Sequence, residues 1–303
     1  MSTIILTILL FNLGLVRREK ISQETLFSSA NGKFLYSLEY ATEGVGEIPI
    51  KRFSLYDKEK RLLFTKTLPG EEAFFVSDAG WLIGIFGSHP RARLTFYDLK
   101  GSVKKQVTVD YPYGYSFSLS GNLFYVNTPK GILAFNSQGK IVYRFNPPGH
   151  FFPSSDDKFL AVIKEDSLFI FRDGKIFAKS SLSSLLFRHL AFSPDNKFLA
   201  VAEKHSLSLF SVEENLQPLW QKEFNFSTSL LKIAVDNEGI VYLAGEETKE
   251  KRSGFLMALK DGITVSQIEI PYLADYETIL GISFLGDTIS VRTTENKFYF
   301  VQE

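Results

Sequence analysis

Three observations predict the fold of this chain: a turn-plus-strand unit that recurs seven times, an excess of aromatic residues suited to strands, and a length that one large all-β domain can fill. Together they predict an all-β, seven-bladed β-propeller. Each blade has four antiparallel strands, and an N-terminal strand closes the last one. The chain has 303 residues, of which 45% are hydrophobic and 15% aromatic, with 29 Phe and 13 Tyr. Phe and Tyr favour pleated, half-buried strands, and all-β propellers commonly exceed the usual domain length as one unit.

The repeated unit opens with a polar turn that leads into an apolar strand. It reads Asn31-Gly32-Lys33-Phe34, Asp78-Ala79-Gly80-Trp81, Ser120-Gly121-Asn122-Leu123 and Asp156-Asp157-Lys158-Phe159. It continues as Asp195-Asn196-Lys197-Phe198, Asn237-Glu238-Gly239-Ile240 and, less regularly, Leu285-Gly286-Asp287-Thr288. The first strand residues are spaced by 47, 42, 36, 39, 42 and 48. Gly, Asn and Asp recur because tight turns demand positive φ, which these residues tolerate. After the turn comes a short apolar strand such as Phe159 to Ile163, then a third strand such as Leu94 to Tyr97 or Leu207 to Phe210. A second polar turn follows, as in Asp98-Leu99-Lys100-Gly101 or Asp173-Gly174-Lys175, and then a fourth strand such as Ile141 to Phe145. Four strands per period of this size is the blade of a propeller.

The stretch from Leu190 to Phe210, with Ser193-Pro194-Asp195-Asn196-Lys197-Phe198 at its centre, resembles a WD40-like propeller repeat. Third strands end as Tyr56-Asp57, Tyr97-Asp98 or Phe210-Ser211 where WD repeats carry Trp-Asp, and Gly149-His150 is the one Gly-His pair. The side-chain tetrad of that family is therefore not carried over, and the chain is more similar to divergent bacterial propellers. Pro218-Leu219-Trp220-Gln221 resembles a quinoprotein-type repeat.

The ends raise a closure problem. The seventh unit supplies Ile279 to Phe284, Thr288 to Arg292 and Lys297 to Val301, with no room for a fourth strand. Counting back from Phe34 by the interval seen elsewhere predicts that the segment around Leu13 to Lys20 completes that blade. Before it lies the apolar run Ile4 to Phe11, followed by Arg17, Arg18 and Lys20. The run is too short for a bilayer span, which needs about 20 apolar residues. We read residues 1–12 as a signal or anchor segment and 13–303 as the propeller. Expected placement is periplasmic or secreted, with cytoplasm the alternative, and membrane association is expected only through that segment.

Charge narrows the function classes. Lys plus Arg equals Asp plus Glu at 34 each, so no basic excess points to nucleic acid. The lack of Cys removes disulfides and thiolate chemistry. Phosphate loops, metalloprotease motifs and nucleophile elbows are missing from the sequence, and no cofactor is expected. The acidic residues of the repeated turn are read as turn formers. His150 and His189 are 39 residues apart, as are Phe159 and Phe198, so they occupy equivalent positions at a channel mouth. With Glu72 they form the candidate metal set for a metal-assisted hydrolase or lactonase.

The other candidate surface comes from loop lengths. Ala41 to Lys51, Gly87 to Arg93 and Gly245 to Gly254 read as long loops between second and third strands, on the face that also carries the links between blades. That face receives His89, Arg91 and Arg93, the trio Tyr111, Tyr113 and Tyr115, and the pair Tyr272 and Tyr276. Long loops on a rigid scaffold are where binding concentrates, and Tyr and Arg anchor interfaces. The sequence therefore points to a non-enzymatic scaffold for a protein or extracellular polymer. A protein partner is favoured because the charges on this face are mixed.

Overall fold

The computed structural model describes residues 16–21, 24–29, 33–40, 50–71, 73–118, 120–182, 189–203, 205–225, 231–248, 252–270, 278–285, 288–293 and 298–302. Among them the regular elements are all strands, arranged in seven sheets. The first holds β1 (Val16–Ile21), β2 (Glu24–Ser28), β3 (Phe34–Tyr40), β4 (Ile50–Asp57) and β5 (Leu62–Glu71). Next come β6 (Ala73–Val76), β7 (Trp81–Ser88), β8 (Arg91–Asp98) and β9 (Val103–Asp110), then β10 (Gly114–Phe117), β11 (Phe124–Thr128), β12 (Gly131–Phe135) and β13 (Ile141–Phe145). The fourth sheet has β14 (His150–Pro153), β15 (Phe159–Lys164), β16 (Ser167–Arg172) and β17 (Lys175–Ser181). The fifth has β18 (His189–Phe192), β19 (Phe198–Ala202), β20 (Ser206–Ser211) and β21 (Gln217–Glu223). The sixth has β22 (Lys232–Val235), β23 (Val241–Thr248), β24 (Arg252–Lys260) and β25 (Ile263–Ile270), and the seventh β26 (Ile279–Leu285), β27 (Thr288–Thr293) and β28 (Phe298–Gln302). Strands lie side by side in chain order within every sheet.

The chain divides into two compact units, residues 1–158 with 173–175, and residues 159–172 with 176–303. In the first unit the second sheet is buried on both faces. Phe74, Leu82 and Tyr97 face a cluster with Phe34, Leu38, Phe53 and Leu55. Their sequence neighbours Phe75, Trp81, Ile83 and Phe96, with Leu94, face another, with Phe117, Phe124 and Phe135. Successive side chains of a strand point to opposite faces, so a strand buried on both sides reads as an unbroken apolar run. The second unit repeats the scheme: Val241 and Leu243 join Ala200, Leu207 and Leu209, while Tyr242 and Ala244 join Leu256, Ile279 and Val291. Phe suits this spacing because rings from adjacent sheets meet in mid-layer, as where Phe53 and Phe74 lie 4.1 Å apart between centroids.

The repeated turn has the predicted backbone. Gly80, Gly121, Asp157, Asn196 and Gly239 all have φ between +61° and +86°. It also has a feature unseen in the sequence. A buried serine opens it at Ser29, Ser77, Ser118, Ser154 and Ser193. The hydroxyl braces the turn from inside: Ser29 Oγ accepts from Phe34 N–H at 2.9 Å and Ser193 Oγ from Phe198 N–H at 3.0 Å. Asp236 does the same for Ile240 N–H at 2.8 Å.

The turns also reach the following sheet. Ser29 Oγ donates to Asp78 Oδ1 at 2.5 Å, Ser77 Oγ to Gly121 O at 2.5 Å, and Ser120 Oγ to Asp157. In the second unit Asp195 N–H donates to Asn237 Oδ1 at 2.9 Å.

The N-terminal strand corrects the closure expectation. Residues 16–21 do not add to the seventh sheet; β1 pairs antiparallel with β2, with Arg17 opposite Leu26 and Ile21 opposite Glu24. The seventh sheet has three strands among the described residues. Only two residues separate β1 from β2, so the local hairpin has a far smaller loop-closure cost than a return across the whole chain. Residues 1–15, including the apolar run, lie outside the described residues.

Candidate partner-binding surface

The segment Gly87 to Arg93 is not a long loop. Strands β7 and β8 pair without interruption from Trp81–Asp98 out to Ser88–Arg91, leaving a two-residue turn at His89 and Pro90, joined by a cis peptide. The additional residues lengthen the hairpin. By contrast β11 and β12 stop at five residues each. In the second unit β23 and β24 extend likewise, pairing out to Thr248–Arg252. Polar side chains on the outer face made these arms read as loop. The tip of the first-sheet hairpin, residues 41–49, lies outside the described residues.

Alternation gives the β7–β8 hairpin two distinct faces. Ile85, Ala92 and Leu94 turn inward to the core. Phe86, Arg91 and Arg93 lie on the other face, the one whose Leu82 and Tyr97 pack toward the first sheet; at the hairpin's end Phe86 and Arg91 are exposed there, and the Arg93 guanidinium sits 4.9 Å from the Phe86 ring centroid. Gly87 makes the pairing possible: a Cβ there would meet Ala92 Cα at 2.5 Å and Arg91 O at 2.6 Å. Strand β9 completes the face, placing Asp110 opposite Arg91 and Thr108 opposite Arg93.

The link to the next sheet then folds over the tip. Tyr111 N–H donates to Pro90 O at 2.9 Å, and its ring lies 6.1 Å from that of His89. Tyr113 N–H donates to Asn127 O at 2.8 Å, and Asn127 Nδ2 donates to Gly149 O at 2.9 Å. Lys130, in the β11–β12 turn, pairs with Asp110 at 2.9 Å. Within the first unit these bonds tie the hairpin tip to the link before β10, and β11 to both that link and Gly149 before β14.

The three tyrosines separate by role. Tyr113 is 72% exposed. Tyr111 is half-buried and packs against the core beneath. Tyr115 is a core residue, edge-on to Phe75 at 5.0 Å and stacked near Phe124 at 6.5 Å. His89 and Arg91 are exposed, and Arg93 is half-buried. The sequence did not single out Phe86, Lys130 or Asn127; the period-2 parity of β7 was the available signal for Phe86. Tyr272 and Tyr276 lie outside the described residues.

His150 and His189 are the first residues of β14 and β18, as their spacing predicted. Glu72 lies outside the described residues, and among these no group of three or more His, Asp or Glu is placed to hold a metal ion.

No protein-family model matches the sequence, and no curated protein matches it. Solved structures do. BamB from Moraxella catarrhalis is 12% identical, with all of this chain and 99% of that chain covered and a TM-score of 0.57. A eukaryotic initiation factor is 11% identical over 86% of this chain and 84% of that one, with a TM-score of 0.58. The fold is a β-propeller. At such identities the likeness shows the fold alone. In this propeller the acidic residue at the end of the third strand serves the following turn. Asp57 accepts from Arg61 N–H and Asp98 from Ser102 N–H, each at 2.9 Å. The Lys104 ammonium and the turn N–H groups hold Asp98 below the usual carboxylate range.

Proposed function

We propose that this chain is a seven-bladed, non-enzymatic propeller of the divergent WD40-like kind, and that it displays the β7–β8 hairpin and its neighbouring links to a protein partner. The observation that carries the reading is Tyr113, 72% exposed on a backbone fixed to Asn127, together with the exposed Phe86 and Arg91 at the end of the β7–β8 hairpin, to which the neighbouring Tyr111 is bonded. Exposed aromatic and arginine side chains held on a rigid frame are what anchor interfaces. Residues 1–12 act in this reading as the segment that delivers the propeller to the periplasm or cell exterior. Recovery of full-length protein with Met1 retained in the cytosol would refute delivery.

The binding test is capture of the native partner from its source by the wild-type chain and by Tyr113→Ala and Arg91→Ala. Each substitution should weaken capture by about 1–3 kcal/mol and shift stability by less than about 0.5 kcal/mol. Unchanged capture by both variants, with loss of capture by variants at the repeated turns of the first unit (Lys33, Lys158), would sink the proposal.

A further inference from the structure

Resting on that reading, we infer that the partner offers this surface an extended segment with acidic side chains at alternate positions. The surface is locally basic in a chain whose total charge is zero. Arg91, Arg93 and Lys130 lie along it, and Asp110 is the acid in their midst. Asp110 is already engaged by Lys130 at 2.9 Å. Arg91 is exposed and has no carboxylate partner among the described residues. The Arg93 guanidinium lies 4.9 Å from the Phe86 ring centroid, and its Nε is buried with no hydrogen-bond acceptor among the described residues. Stacking on a ring fixes a guanidinium plane while leaving its terminal donors available, the geometry suited to a carboxylate.

Spacing selects the form of the ligand. Arg91 and Arg93 are two apart on one strand and on one face, which sets their Cα atoms about 7 Å apart. An extended peptide repeats same-side residues at that interval, so acids at alternate positions match both guanidinium groups at once. Intervening side chains would face away. A nucleic-acid strand fits less well, because Asp110 interrupts the basic row and the chain carries no basic excess to steer phosphates.

The experiment uses the full chain and fluorescence anisotropy with three labelled ten-residue probes: (Glu-Thr)5, (Lys-Thr)5, and a block peptide of five Glu followed by five Thr. A single-stranded thymidine decamer is the fourth probe. The alternating acidic peptide should bind most tightly and lose affinity as salt rises, since charge pairs at a surface are screened. Arg91→Glu should lower its affinity by about tenfold or more, as charge reversal replaces attraction by repulsion, while circular dichroism stays unchanged. Lack of binding by the alternating peptide overturns the inference. So does equal or tighter binding of the block peptide, the lysine peptide or the oligonucleotide. Native-partner capture separates the two claims: if Tyr113→Ala abolishes it but Arg91→Glu and added salt do not, the surface stands and the acidic ligand falls. If none of the three affects capture, the partner-binding reading itself falls.

Discussion

The carbonyl of Gly121 offers a quantitative test of how consecutive sheets are joined. It accepts two hydrogen bonds from the preceding sheet, from Ser77 Oγ at 2.5 Å and from Trp81 Nε1 at 2.8 Å. Ser77 is 1% and Trp81 4% exposed, and Gly121 is buried, so water cannot replace either donor. Ser77→Ala removes one donor and leaves the other, at a cost of about 1 kcal/mol. Trp81→Phe removes the second donor and also ring contacts with Phe96 at 6.1 Å and Phe117 at 4.7 Å. Its cost is about 2–4 kcal/mol, most of it packing. In the double variant the carbonyl has neither donor, and an unsatisfied buried acceptor costs about 1–3 kcal/mol. The two substitutions should therefore cost about 1–2 kcal/mol more together than the sum of their separate effects. Urea unfolding of the four proteins, followed by circular dichroism, measures this coupling. Additivity within about 0.5 kcal/mol would show that the shared acceptor does not join the sheets.

Gly87→Ala should destabilise the protein by about 1–3 kcal/mol, because the new methyl meets backbone atoms of β8 that cannot rotate away; thermal unfolding checks it, and partner capture should weaken with it as the hairpin arms separate. Asp157→Asn should raise stability at pH 7 by about 0.5–1 kcal/mol, because Asn suits the φ of +64° and carries no charge into a site where burial pushes the carboxyl above its ordinary value. A raised folded-state value means that ionised Asp157 opposes folding above that value, so the gap in melting temperature between variant and wild type should narrow as pH falls through the raised value and be closed below the ordinary carboxylate value of about 4; a gap that widens on acidification contradicts the assignment. Ser118→Ala should cost about 1–2 kcal/mol, since the fully buried hydroxyl both accepts from Leu123 N–H and donates to Leu123 O; denaturant unfolding measures it, and an unchanged midpoint would mean the turn needs no brace.

The repeat was legible because left-handed backbone positions restrict residue choice so strongly. Gly80, Asn196 and Gly239 announce a turn whatever surrounds them. The serine that opens each turn was not legible, because Ser is common at surfaces and its burial follows only from the neighbouring sheet. The hairpin arms were misread for a related reason. Phe86, Arg91 and Arg93 alternate with Ile85, Ala92 and Leu94, a strand pattern, but the adjacent Gly87, His89 and Pro90 outweighed it. Tyr113 differs from Tyr115 because it lies in the link before β10 while Tyr115 lies within the strand, a boundary that spacing alone did not show. The placement of residues 16–21 turned on a comparison of a two-residue connection with a return along the whole chain, which a count of strands per repeat does not include.

The serine-braced turns carry a consequence for how this molecule comes apart. Among the described residues of the first unit, each turn bonds to its neighbour in the chain: Ser29 to Asp78, Ser77 to Gly121, Ser120 to Asp157. Damage is therefore passed along a line. Loosening one joint frees a single pair of neighbours and leaves the joints further along intact, so opening should travel like a zip, one repeat at a time. Amide exchange in a Ser77→Ala chain would then quicken first in β6–β9 and β10–β13, with the turn at Asp157 still protected, and the order of exchange would follow the order of the sequence.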